Sequence, residues 1–182
     1  MEKLLLKNLR ENLQIGNIVL RNFINLTPEE KKIVLMWRNN DDIRKVSYSS
    51  HIISEEEHNR FMKELKRNNK NYYLLAKDKE NKCLGVISLN RVDFFNKHAY
   101  LGIYTNPQLK GGGSLLMKCL KELAFRIAKL HTLKLEVIKS NHRAISFYKK
   151  EGFEEEGRLK EFVYKDGRWF DVIVMGLINR ND

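Results

Sequence analysis

Apolar positions along this chain switch between two periods, and the switches divide it into elements. Leu5, Leu6, Leu9 and Leu13 recur at helical spacing, predicting a short amphipathic helix over Met1 to Leu13. Asn17 to Phe23 is β-rich and reads as a first strand. Thr27-Pro28-Glu29-Glu30 starts a helix, with Thr27 as N-cap, Pro28 at the first helical position and Glu30 closing a capping box. Ile33, Met36 and Trp37 share its apolar face, and it ends near Arg38. Ser54-Glu55-Glu56-Glu57 repeats the box, and His58, Phe61, Met62 and Leu65 follow at i, i+3, i+4 and i+7.

Further on, Tyr72 to Lys77 and Cys83 to Asn90 flank the polar tip Asp78 to Asn81 as a hairpin. Val92 to Phe95 extend the second strand, and the run opening at Ala99 adds a third antiparallel one. Leu116, Leu120, Leu123, Ile127 and Leu130 mark a longer helix, and Thr132 to Ile138 alternates as a strand. Two strands separated by such a helix imply a right-handed parallel crossover. Asn141 to Glu151 is a short helix closed by Gly152, and Gly157 to Lys165 and Arg168 to Leu177 flank the hairpin pair Asp166-Gly167. With no repeat and no linker, the chain reads as one α/β unit over 1–182, carrying a helical extension over 1–16.

A length of 182 residues fits one domain, and 42% hydrophobic with 31% charged residues describes a soluble globular protein. No run reaches the ~18 apolar residues of a membrane span. Lys7, Arg10 and Glu11 interrupt the only N-terminal apolar run before a secretory core forms, so a cytoplasmic setting is expected, with no membrane partner. Cys83 and Cys119 have no metal-ligand spacing, and no metal is expected. The net charge of +11 favours anionic partners, yet basic residues are interspersed with acidic ones rather than gathered in a block. That argues against nucleic acid and for a phosphate-bearing small molecule. The N-terminal helix has either the domain or a second subunit, in a homodimer, to pack on.

The stretch Ala99 to Leu116, AYLGIYTNPQLKGGGSLL, carries the sharpest chemistry. It reads as a strand, a turn at Asn106-Pro107, a basic glycine-rich loop and a helix opening at Ser114. Glycine lets a backbone lie against phosphate, and a helix start adds unpaired N–H groups. The lysine precedes the glycines, which excludes a Walker loop, and the spacing does not match a dinucleotide fingerprint.

The pattern Q-x-x-G-x-G at Gln108 to Gly113, followed by N-x-x-A-x-x-x-Y-x-K-x-G-F at Asn141 to Phe153, resembles the two conserved blocks of the GNAT acyltransferase superfamily. With IVLR near the start, the resemblance covers nearly the whole chain. It implies an α/β (α+β) GNAT fold: a central mixed, mostly antiparallel twisted sheet of about seven strands flanked by helices, with splayed strands forming an acetyl-CoA cleft. It also implies which residues hold acetyl-CoA. Ile103 and Tyr104 would pair with the pantetheine arm, the N–H groups of Leu109, Lys110, Gly111, Gly112, Gly113 and Ser114 would take the pyrophosphate, and Asn141 and Arg143 would assist. Tyr148 matches the phenol that protonates the departing thiolate, which the resemblance favours over a core aromatic beside Phe147. Ser88 and Glu136 could each hold a water for proton removal, or be ordinary strand positions.

Trp37-Arg38-Asn39 resembles an element of two branches of the superfamily, one acetylating N-termini of ribosomal proteins and the other amino groups of nucleotide-linked sugars. As a whole the chain resembles the second branch, in its pseudaminic acid form, on GVISLNRVDFFNKHAYLGIYTNP, NHRAISFY and EGRLKEFVYKDGRWFDV. The resemblance implies a UDP-linked 4-amino-4,6-dideoxy sugar as acceptor, on the way to flagellin glycosylation, with Arg38, His58, Asn90, Arg91 and Tyr104 facing it. A solvated arginine and a satisfied core histidine remain open for Arg38, Arg91 and His58. A non-catalytic basic module for RNA or an acidic protein is the reading from a different class.

Overall fold

Both predicted capping boxes are made, and they fix the two helices that cover one face of the sheet. The structure is a computed structural model that describes Leu5 and residues 9–180. Its strands are β1 (Leu13–Ile15), β2 (Ile18–Asn22), β3 (Tyr72–Lys77), β4 (Cys83–Asp93), β5 (His98–Thr105), β6 (Thr132–Ile138), β7 (Glu154–Lys165) and β8 (Arg168–Ile178). Its helices are α1 (Pro28–Arg38), α2 (Asp41–Val46), α3 (Glu55–Leu65), α4 (Gly113–Lys121) and α5 (His142–Lys150). A π-helical stretch, Glu122–Ile127, continues α4.

Thr27 Oγ1 accepts from Glu30 N at 3.2 Å while Glu30 Oε2 accepts from Thr27 N at 2.9 Å, and Ser54 and Glu57 repeat the exchange at the start of α3. Val34 and Trp37 of α1 and Met62 and Leu65 of α3 pack on Leu75 and Val86 of the sheet. Met36, expected on the inner face of α1, points outward at 56% exposure, because Val34 rather than Met36 completes the buried row with Trp37. The opposite face is covered by α4 and its continuation, through Leu116, Met117, Leu120 and Leu123, with Ile145, Phe147 and Tyr148 of α5 packed alongside.

The sheet has eight strands in the order β1-β2-β3-β4-β5-β6-β8-β7. The strand beyond the expected seven is β1. Gly16 adopts φ 57 and turns the chain so that Leu13 pairs with Leu20, which takes Leu13 out of the expected N-terminal helix. Leu9 is fully buried and helical, and Leu6 lies outside the described residues. Asp166 and Gly167, at φ 52 and 79, close the β7–β8 hairpin as a two-residue turn with both residues at positive φ.

One feature of the register positions the site. β5 and β6 run parallel, but pair only at His98↔Thr132, Ala99↔Leu133 and Tyr100↔Lys134. From Leu101 onward β5 keeps β4 on one side and has no strand on the other, while β6 continues alongside β8 to Ile138. The sheet is therefore split between the C-terminal halves of two neighbouring strands.

Candidate active site

The glycine-rich loop lies at the end of the unpaired half of β5. Asn106, 8% exposed, organises its entry: its Nδ2 donates to Cys83 O at 3.0 Å, its Oδ1 accepts from Gln108 N at 2.9 Å, and its carbonyl accepts from Leu109 N at 3.0 Å. Gly111 and Gly112 follow at φ 79 and 82, and Gly112 is the N-cap of α4, whose first residue, Gly113, comes one before the expected start. The first N–H back in use is Leu116 N, bonded to Gly112 O at 3.0 Å. Between Leu109 and Leu116, none of the N–H groups from Lys110 to Leu115 meets an acceptor among the described residues. Consecutive free donors at a helix start suit a diphosphate. Nothing approaches within 4 Å of where a Cβ would sit on Gly111 or Gly112, so the loop is open to a ligand. Of the six residues expected to cradle the pyrophosphate, Leu109 alone has its N–H engaged, by Asn106.

Helix α5 closes against this loop. The Phe147 ring comes within 3.3 Å of the Cβ position on Gly113. Lys121 Nζ donates to Glu151 Oε2 at 3.0 Å and to its carbonyl at 2.8 Å, and Ser114 hydrogen-bonds the same carboxylate. Asn141 caps α5, its Oδ1 accepting from Ala144 N at 3.2 Å, and Arg143 is exposed beside it. Gly152 at φ 90 ends the helix, with Phe153 N returning to Tyr148 O. Tyr148 lies between Phe147, tilted at 57°, and Phe153, edge-on at 66°, at ring separations of 5.4 and 5.9 Å. Its hydroxyl has no hydrogen-bond partner among the described residues, and burial pushes its pKa up to about 12.

On the other face of the sheet lies a cavity of about 420 Å³. It is lined by Asn90 and Arg91 of β4, Tyr100 and Leu101 of β5 and Glu136 of β6, together with Tyr48, Asn71 and Tyr73. Glu136 stands at the split. Its Oε1 accepts from Arg91 at 3.0 Å, and its Oε2 accepts from Tyr48 Oη at 2.8 Å and from Arg91 at 3.3 Å. Burial first, and then the carboxylate beside it, drive the pKa of the Tyr48 phenol upward, and Tyr48 is the donor in that pair. A bulge after Asn90 sets Arg91 at φ 52 and lays its guanidinium 4.3 Å from the centre of the Tyr100 ring.

Ser88, two residues before Asn90 on β4, is 4% exposed, its Oγ accepting from Asn90 Nδ2 at 2.9 Å. The amide of Asn90 is thereby oriented, and its Oδ1 is left buried without a partner. Gly102 faces Ser88, and a Cβ there would lie 2.5 Å from the hydroxyl, which keeps this part of β5 bare. Ile103 and Tyr104 follow on the unpaired half of the strand. Tyr104 packs on the α1–α3 face, where burial raises its pKa and the charge of Arg38 pulls it down. Arg38 itself donates to Ser47 Oγ at 2.9 Å.

The structure thus gathers Asn90, Arg91 and Glu136 at one cavity, with Ser88 bonded to Asn90. Arg38 and Tyr104 are not among the residues that line it, and neither is His58. That ring is 7% exposed between α1 and α3, its Nε2 engages Lys31 O at 3.1 Å, and burial lowers its pKa, as suits a neutral core histidine. Tyr48, Asn71, Tyr73 and Tyr100 were not anticipated. The period-2 pattern could have found two of them, because Tyr73 lies opposite Ser88 and Tyr100 opposite Asn90. Tyr48 sits in a segment without periodicity.

Comparison with known proteins bears on this geometry. The family described as Acetyltransferase (GNAT) domain matches residues 25–174. Acetyltransferase PseH of Campylobacter jejuni is 38% identical over 148 residues, which span 81% of this chain and 91% of the relative. The crystal structure of Campylobacter jejuni PseH in complex with acetyl coenzyme A superposes with a TM-score of 0.71 at 30% identity, covering 89% of this chain and 99% of that one. Spermidine N-acetyltransferase from Vibrio cholerae, in complex with CoA and spermine, shares the fold with a TM-score of 0.79 at 24% identity, covering 90% and 96%. Among the described residues no helix is long and apolar enough to cross a membrane, and no group of side chains could hold a metal ion.

Proposed function

The chain belongs to the GNAT acetyltransferase family, and from that premise we propose that it transfers an acetyl group from acetyl-CoA to the 4-amino group of a UDP-linked 4-amino-4,6-dideoxy-N-acetyl-L-altrosamine in pseudaminic acid biosynthesis. The observation that carries the acceptor class is the cavity at the split. Three phenols, two amides and an arginine–glutamate pair suit a ring bearing hydroxyl and amide groups better than a flexible cationic chain. Arg38, beside Tyr104, suits the nucleotide phosphates, because a guanidinium fork matches two phosphate oxygens.

Acetyl-CoA supplies a thioester carbonyl for the amine to attack. The N–H groups of Lys110 to Ser114 hold its diphosphate with the charge of Lys110 nearby, and the free edge of β5 at Ile103 and Tyr104 takes the arm that follows. Asn141, engaged as a cap, contributes by setting α5 rather than through its amide oxygen, and Arg143 reaches an outer phosphate.

The amine must shed a proton before or as its nitrogen bonds to the acetyl carbon. Glu136 accepts that proton through a water that Ser88 and Asn90 help to place. Arg91 and Tyr48 hold the carboxylate in register meanwhile. A backbone N–H of β5 stabilises the charge on the carbonyl oxygen. As the carbon–sulfur bond breaks, the Tyr148 hydroxyl, a phenol that carries its proton at neutral pH, gives that proton to the sulfur. His58 serves this reading only by anchoring α3 to α1.

Thiol release from acetyl-CoA, followed with a thiol reagent, tests the proposal against three acceptors: the UDP-linked 4-amino sugar, a ribosomal-protein N-terminal peptide and spermidine. Turnover with the sugar well above the other two is expected. Turnover confined to the peptide or the polyamine would overturn the acceptor assignment, and no turnover with any amine would favour a non-catalytic role.

A further inference from the structure

Lys165 is a buried cation that takes no part in the chemistry described so far. It ends β7 at 7% exposure, and its Nζ donates to Arg44 O and Lys45 O at 2.8 Å and to Ser47 O at 2.9 Å. All three of its N–H bonds end on backbone carbonyls at the close of α2, and no carboxylate contacts the ammonium among the described residues. The next residue, Asp166, holds the other end of the same segment: its Oδ1 accepts from Ser50 Oγ at 2.5 Å. Two consecutive residues at one hairpin corner therefore pin the chain at Arg44–Ser47 and at Ser50.

Tyr48 lies between those pins. From there it reaches Glu136 Oε2, and Phe162 of β7 backs its ring edge-on at 6.4 Å. Ser47 is also tied through its side chain, accepting from Arg38 and donating to Ile43 O at 2.7 Å. The segment has no strand pairing of its own, so its path depends on these contacts and on Arg44 Nη1, which donates to Ser50 O at 2.6 Å. A side chain delivered to a catalytic carboxylate from an unpaired loop needs such fixing, since small misplacements are costly in rate.

We propose that Lys165 is a positioning residue for acceptor turnover: by holding the end of α2 it places Tyr48 on Glu136, and so sets both the wall of the cavity and the orientation of the carboxylate. The inference rests on the proposed role of Glu136. A lysine at a helix C-terminus also stabilises that helix, and the test must separate the two effects.

The test is a double-mutant cycle of Lys165→Met and Tyr48→Phe, read as kcat/KM for the UDP-linked amino sugar, KM for acetyl-CoA, and amide exchange over residues 47–50. Lys165→Met should lower kcat/KM for the acceptor by about tenfold, leave KM for acetyl-CoA within about twofold, and speed exchange at 47–50. In the double variant the two losses should not multiply, because both act through one contact. Losses that multiply, or a lowered melting temperature with acceptor kinetics unchanged, would overturn the proposal. Should Lys165→Met fail to fold, Ser50→Ala removes the second pin and enters the same cycle. A wild-type protein that ignores the sugar refutes the acceptor assignment instead. The cycle is then run on whichever amine is turned over, and amide exchange reads the clamp without any substrate.

Discussion

Replacing Glu136 with glutamine separates a catalytic carboxylate from a structural one, because the two roles predict costs of different size. The substitution keeps the side-chain volume. Of its two termini the amide oxygen can stay on Arg91, while the new NH2 faces Tyr48, whose hydroxyl can turn to accept. What the fold loses is the second Arg91 bond, at 3.3 Å, and the charge of an ion pair whose arginine is 61% exposed and screened by solvent. That loss is worth about 0.5–1 kcal/mol, and at roughly 2–4 °C per kcal/mol for a chain of this size it is a small shift in melting temperature. A general base removed from the reaction instead costs 10²–10⁴-fold in rate, about 3–5 kcal/mol of barrier. The assay measures thiol release with the UDP-linked amino sugar from neutral to alkaline pH, alongside a thermal melt. The deficit should be largest at neutral pH and shrink as pH rises toward the amine's own pKa, where solvent supplies the neutral nucleophile. A variant whose kcat/KM for the acceptor stays within about threefold of wild type across that range would refute the reasoning, since so small a loss is what the wall of a cavity would give.

Tyr148→Phe should lower kcat by about 10²-fold or more while the dissociation constant for acetyl-CoA, measured by calorimetry, stays close to wild type. Gly112→Ala places a Cβ at φ 82, where it meets no neighbour within 4 Å, so its cost is backbone strain of about 1 kcal/mol. It should raise KM for acetyl-CoA and leave KM for the acceptor unchanged. Glu57, bonded to Ser54 N at the start of α3 and to His51, has its pKa lowered to about 2. A depressed carboxylate contributes stability that is present above its ordinary value and is lost as pH falls through the folded one. Glu57→Gln should therefore destabilise the protein to urea at pH 7, and the difference should vanish on acidification toward pH 2.

What was legible in the sequence was local. The capping boxes, the Asp166-Gly167 turn and the glycine loop each depend on residues within a few positions of one another, and backbone geometry follows directly. Leu13 misled because a leucine three or four residues after another fits a helix as well as a two-sided strand, and only the positive φ of Gly16 decides. Met36 misled because helical periodicity names two neighbouring rows, and the position of the sheet chooses Val34. For His58 the pattern gave its burial correctly, but the carbonyl that meets its ring lies on another helix. Tyr48 and Lys165 carried no signal at all, since their partners are dozens of positions away, as from Lys165 to Ser47.

The split in the sheet explains why residues from such distant segments are needed. Parallel pairing of β5 and β6 stops at Tyr100, and the opening beyond it passes between two packed faces. Tyr148 belongs to the face covered by α4 and α5, whereas Glu136 and the cavity belong to the face of α1 and α3. Under the proposed function, the leaving sulfur is then served from one side and the incoming amine from the other, with the free edge of β5 between them. The donor side is built from the loop, the helix that follows it and α5, and it can stay the same from one relative to another because every ligand of that kind carries the same diphosphate. The acceptor side must be matched to one particular amine, and it is assembled from α2, the segment after it, β3, β4, β5, β6 and the β7–β8 hairpin. Changes of acceptor should accordingly map to Tyr48, Asn71, Tyr73 and Tyr100 and to the hairpin corner that fixes Tyr48. Exchanging these side chains should change which amine is acetylated while KM for acetyl-CoA stays put, and a matching rise in that KM would show that the two sides are not independent.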